Sequence, residues 1–164
     1  MGLDLPGELR SLLSLLGYNW PEADEVKLIE MGQAWISFAG TLGDLVQSAN
    51  STAGTVWSTN QGGDIKAFQD WWSKPDSPGP ALSDGTTAAV LTGTGLIICG
   101  AIVLALKVSV IVQLVALAIE IAEAIATAAP TFGASLLEIP VFQQLARTII
   151  ENLIQDAVFQ LVDG

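Results

Sequence analysis

The 164-residue chain carries 17 acids against 6 bases, a net charge of −11, and is 51 % apolar but only 14 % charged. Nucleic-acid binding needs clustered cations to neutralise phosphates, and this balance argues against it; an anionic membrane surface would repel the chain for the same reason. With no histidine and one cysteine, zinc sites, Ser-His-Asp triads, Cys-His dyads and an intrachain disulfide are all excluded.

The N-terminus, Met1-Gly2-Leu3-Asp4-Leu5-Pro6, lacks the basic start and apolar run of a signal peptide, so export would proceed without a cleaved Sec signal. Pro6 stands where a myristoylation motif wants Ser or Thr. Leu5, Leu9, Leu12, Leu13 and Leu16 repeat at helical spacing and predict a short amphipathic helix closed by Gly17. After the linker Tyr18-Asn19-Trp20-Pro21, a long helix is expected from Glu22 to Trp57. Pro21 and the acids Glu22, Asp24 and Glu25 mark its start. Trp35, Phe38, Leu42, Leu45, Ala49, Ala53 and Val56 advance by threes and fours, a near-heptad seam for packing lengthwise against a partner. Gly32, Gly40, Gly43 and Gly54 weaken this helix or allow close helix approach.

Asn60-Gln61-Gly62-Gly63 predicts a turn, with Asp64 as N-cap of a returning helix that carries Ile65, Phe68, Trp71 and Trp72 on one face. Lys74-Pro75-Asp76-Ser77-Pro78-Gly79-Pro80 ends that helix, and Ser83-Asp84-Gly85-Thr86 prolongs the loop. The expected organisation is therefore a helical hairpin over 1–74, a Pro/Gly-rich linker over 75–87 and an apolar helical region over 88–164 that packs on the hairpin.

Ala88 to Leu106 is uncharged over 19 residues, enough to suggest a transmembrane helix. Only Lys107 separates it from Val108–Ile119, and a continuous helix over Ala88–Ala129 would reach about 60 Å, twice the hydrocarbon thickness. Burial in a helical bundle is the preferred expectation, and entry into lipid the alternative. Cys99 reads as a buried, inert thiol. Glu120 and Glu123 share a face and are expected as a solvated patch or a contact with another chain. Pro130 ends the apolar region. A last amphipathic helix, about Ile139 to Val162, places Phe142, Leu145, Ile149, Leu153, Ala157 and Leu161 on one side.

No enzyme signature survives inspection. Gly62-Gly63 lacks the Gly-Lys-Ser/Thr ending of a phosphate loop, and Gly93-Thr94-Gly95 sits in apolar helical surroundings rather than after a strand. No catalytic residue, cofactor or metal is predicted. The fold class is all-α: a long helical hairpin, a long apolar helix and a C-terminal amphipathic helix in an elongated bundle.

The long helix, Trp57 with Gly62-Gly63 at the turn, and the returning helix with Phe68 and Trp72 resemble a WXG100-type hairpin. The opening Leu3-Asp4-Leu5-Pro6-Gly7-Glu8-Leu9, Trp20-Pro21-Glu22, the apolar helix around Lys107 and Gln113, and Phe132-Gly133-Ala134-Ser135 extend the likeness. The whole chain is similar to the WXG100-like N-terminal domain of actinobacterial type VII-secreted polymorphic toxins of the outer-membrane channel and necrotizing-toxin type. It departs from the short Trp-x-Gly pattern, since Ser58 to Gln61 separate Trp57 from Gly62.

The resemblance implies a non-catalytic targeting and assembly domain, secreted or in the cell envelope, that exports and delivers a C-terminal toxin. Trp57, Gly62, Gly63, Phe68 and Trp72 would form the secretion and partner-recognition turn. The implied partners are a second copy or a WXG100-family chain, the type VII machinery and the toxin domain. A membrane-inserting channel or translocation domain is the alternative, with Ile98, Lys107, Val112, Glu120 and Glu123 as membrane or oligomer contacts. Tyr18 and Glu22 have the spacing of the type VII export signal, but they precede the hairpin.

Overall fold

A computed structural model describes residues 2–163. It is all-α, 82 % helical with no strand among the described residues. In chain order the helices are α1 (Gly7–Leu15), α2 (Glu25–Thr59), α3 (Gly63–Trp72), α4 (Pro78–Ala126) and α5 (Ile139–Asp163), with a 3₁₀ turn at Ala134–Glu138 before α5. The residues group into two compact units. One comprises the chain up to Lys27 together with Cys99 onward, and the other is Leu28–Ile98.

In the first unit the leucines of the N-terminal segment supply three of the eight buried core residues. Leu5, Leu13 and Leu16 pack with Val110, Leu114 and Leu117 of α4 and with Ala146 and Ile150 of α5. Gly17 closes α1 at φ +90°. Its N–H donates to the Ser14 carbonyl at 3.0 Å and the Tyr18 N–H to the Leu13 carbonyl at 3.2 Å, the paired bonds of a Schellman end. α2 begins at Glu25, three residues later than the acids suggest, because Asp24 Oδ1 accepts the Lys27 N–H at 3.1 Å and so caps it. Past α4, the buried Ser135 donates its hydroxyl to the Ala124 carbonyl at 2.7 Å, supplying a partner to an acceptor that the helix end leaves over.

The core face of α5 is offset from the expected one. Ala146 and Ile150 are buried together with the expected Ala157, whereas Leu145 and Leu161 are exposed. Cys99 is half-buried rather than enclosed.

In the second unit α2 and α4 touch backbone to backbone. A Cβ on Gly32 would stand 2.5 Å from the Gly93 carbonyl oxygen, and one on Gly93 would stand 2.6 Å from the Gly32 oxygen. Only glycine fits at either position, and Gly93-Thr94-Gly95 lies inside a continuous helix. Ala39, Ala53 and Ala89 are the other buried apolar residues there. The large side chains Trp35, Phe38 and Leu45 of the near-heptad seam are therefore turned away from this contact, while Ala53 of the same seam is buried and Leu42, Ala49 and Val56 are half-buried. Trp35, Phe38 and Leu45 are exposed, because a close crossing selects the smallest side chains.

The connection between α3 and α4 is shorter than the prolines suggest. Pro78 takes the first position of α4, where its missing N–H costs nothing, so Ser83-Asp84-Gly85-Thr86 is helical rather than loop. Threonines of this unit bond back into their own helices: Thr41, Thr52, Thr55 and Thr59 on α2, and Thr86, Thr87 and Thr92 on α4, each donate to the carbonyl one turn earlier.

α4 is long and apolar enough to cross a membrane, yet only 22 % of its most apolar 18-residue window is buried. The expectation of a central helix wrapped by others is thus corrected: one face is covered and the other is bare. Within the first unit the bare face runs through Leu104, Val108, Val112, Val115 and Ile119, at steps of three and four.

Candidate interaction surface

The α2–α3 turn gathers most of the aromatic residues of the second unit. α2 runs to Thr59, where serine, threonine and asparagine side chains bond to preceding carbonyls and fray the helix toward the turn. Gly62 then adopts φ +137°, a backbone region closed to other residues, and α3 starts at Gly63. Asp64 is consequently in the first turn of α3 rather than at its cap, where its charge complements the helix N-terminus.

Folding back brings Phe68 within 5.8 Å of Trp57, 6.0 Å of Trp71 and 5.9 Å of Trp72, measured between ring centroids. Trp72 and Trp71 meet edge-on at 6.1 Å. The Trp72 indole N–H donates to Asn50 Oδ1 at 2.9 Å, which fixes the cluster to the middle of α2. Trp57, Phe68 and Trp72 are half-buried, Gly62 and Gly63 are exposed, and Trp71 is 46 % exposed. All five residues expected at the turn are thus together. The arrangement offers aromatic edges with one polar handle already satisfied.

The second predicted group is not one site. Ile98 and Val112 are exposed, at 53 % and 57 %, and Glu123 is exposed while Glu120 is half-buried. Lys107, expected among the surface contacts, is 3 % exposed. It is correctly placed on α4 for burial because an acid meets it: Lys107 Nζ donates to Glu25 Oε2 at 2.7 Å and to the Ala23 carbonyl at 2.7 Å. Its ammonium also lies 5.7 Å from the Trp20 ring centroid.

Glu25 is 1 % exposed, and its other oxygen accepts the Leu3 N–H. Burial alone would raise the Glu25 pKa. The Leu3 N–H and the Lys107 ammonium outweigh it, holding the carboxyl down to about 2. Among the described residues no group of three or more His, Cys, Asp or Glu is placed to hold a metal ion.

A family model for the WXG100 like domain matches residues 5–152. The chain belongs to the WXG100-like family. No curated protein and no solved structure matches it. WXG100-family proteins are generally non-enzymatic helical proteins that work with type VII secretion and form oligomers or heterodimers. In this WXG100-like chain the match spans the aromatic turn, the Glu25–Lys107 pair and most of α5.

Sequence reasoning missed Glu25 and Asn50 as partners of Lys107 and Trp72. A lone cation in an otherwise uncharged helical stretch is the signal that would have pointed to a buried acid, since a buried charge without a partner is too costly. Nothing in the sequence marks Asn50.

Proposed function

We propose that this WXG100-like chain is a non-catalytic targeting and assembly domain of a type VII-secreted protein that delivers a C-terminal toxin or effector. The observation that carries the reading is the half-exposed cluster of Trp57, Phe68, Trp71 and Trp72 beside a turn that only Gly62 can make. Aromatic residues that are partly covered and held in place present large contact area at low entropic cost, the usual anchors of protein recognition. The partner is the secretion machinery or a WXG100-family chain.

The test is a secretion assay of the full-length protein carrying Trp57→Ala or Gly62→Ala, with the purified variants checked by circular dichroism. Loss of export with helicity retained is the expected result. Normal export of both folded variants would refute the role of the turn.

A second reading is favoured by one observation, the bare apolar face of α4. On it the domain enters lipid and forms a channel or translocation path. Ile98 and Val112 are exposed, so Ile98→Glu and Val112→Glu leave packed contacts untouched. Leakage of dye from zwitterionic liposomes that either charge abolishes supports this reading. Leakage indifferent to both, or no leakage from the wild-type chain, sinks it.

A further inference from the structure

The N-terminal residues are joined to the first unit in an unusual way. α1 is nine residues long, has no side-chain cap and follows Pro6. A helix this short is not stable alone in water. Leu15 points to solvent, and an open cavity lined by Asp4, Arg10, Ser14, Tyr18, Trp20 and Lys107 lies beside the segment. Apart from a 3.5 Å bond from the Tyr18 hydroxyl to the Arg147 carbonyl of α5, the long-range polar ties that hold it converge on a single place. Leu3 N–H reaches Glu25, the Trp20 indole N–H donates to the Leu3 carbonyl at 3.3 Å, and Lys107 binds the Ala23 carbonyl and Glu25 together. Gly2 is pressed against the same carboxylate, where a Cβ would stand 2.7 Å from Glu25 Oε2.

We propose that residues 2–24 are a strap over α4, latched by the buried Glu25–Lys107 ion pair, and that this strap opens as a unit while α4 and α5 stay packed. Opening carries Leu5, Leu13 and Leu16 away and uncovers Val110, Leu114 and Leu117. The opposite face of α4 is already bare at Leu104, Val108, Val112 and Val115, so the open state widens the apolar surface of this segment. The ion pair controls the step because its two members take the most buried polar ties to the strap, whereas the bond from the Tyr18 hydroxyl to the Arg147 carbonyl is exposed and 3.5 Å long and the Asp24–Lys27 contact lies at the strap's end. When one member is missing, the other is left charged in a dry site, and opening is the way it regains water.

Hydrogen exchange of the whole chain, read by mass spectrometry, tests it. In the wild-type protein the amides of residues 9–17 should exchange together and at least about tenfold faster than those around Ile150, a gap set by sub-global opening. Glu25→Gln and Lys107→Met should each speed exchange of residues 9–17 by about a hundredfold or more, with α5 around Ile150 changed by less than about threefold. Equal protection of α1 and α5 in the wild type would overturn the proposal. So would variants in which both helices lose protection together, or in which α1 exchanges as before.

Discussion

Gly93→Ala and Gly95→Ala, two residues apart on α4, should change stability in opposite directions. In both cases alanine is the better helix former, by up to about 1 kcal/mol. At Gly95 a Cβ meets nothing within 4 Å, so that gain is kept. At Gly93 it would sit 2.6 Å from the Gly32 carbonyl oxygen, where ordinary contact starts at 3.4 Å. The obstacle is backbone and cannot swing aside, so α2 and α4 must separate locally by about 0.8 Å. Overpacking of this kind costs about 1–3 kcal/mol, more than the helical gain offsets.

The expected net effects are about 1–2 kcal/mol destabilising for Gly93→Ala and about 0.5–1 kcal/mol stabilising for Gly95→Ala. Gly32→Ala should follow Gly93→Ala, and Gly40→Ala, which also meets nothing, should follow Gly95→Ala. Urea unfolding monitored by far-ultraviolet circular dichroism gives the midpoints, with unchanged slopes confirming that stability alone has moved. If Gly93→Ala is as stable as Gly95→Ala, the helices do not touch through their backbones, and the account of this crossing fails.

Acid should weaken the protein through Glu25. Its carboxyl is held at about 2 against an ordinary 4.5, so the stabilisation is whole above pH 4.5 and is lost as the pH falls toward 2. The total is about 3 kcal/mol, and urea midpoints from pH 5 to pH 2 should fall less steeply in Glu25→Gln than in the wild type. Leu114→Ala, at a fully buried position, should cost about 2–5 kcal/mol, while Val112→Ala on the bare face should shift the urea midpoint little. Trp72→Phe keeps the ring and removes the bond to Asn50, and should lower stability by about 1 kcal/mol in the same assay.

The sequence was most legible where a pattern is local. The leucines of α1 with Gly17, the long α2, the glycine turn and the end of α4 before Pro130 follow from spacing and turn chemistry within a few residues, whereas the start of α4 at Pro78 lies ten residues before the expected Ala88. Faces were harder to read. Hydropathy favours Trp35, Phe38 and Leu45 as the packing edge of α2, yet the contact uses Gly32 and Ala39, because the approach of two backbones is decided by what is absent from a side chain. On α5 likewise Ala146 is buried and Leu145 exposed, against their hydropathy. The aromatic turn could be assembled from sequence since Trp57, Phe68 and Trp72 lie within one hairpin. The Glu25–Lys107 pair could not: its members are 82 residues apart, and no periodicity connects them.

The threonines along α2 and α4 look polar by composition, but their hydrogen bonding gives them a different character. Each hydroxyl hydrogen of Thr41, Thr52, Thr55, Thr59, Thr86, Thr87 and Thr92 is already engaged by a carbonyl of its own helix. What such a residue shows its surroundings is a methyl group and an oxygen that only accepts. A surface built this way demands no donor-accepting neighbour, so it is as well matched to a dry environment as to a wet one. These helices are, in effect, indifferent to their solvent along the threonine positions, and moving between water and an apolar phase or partner would strand no hydroxyl proton.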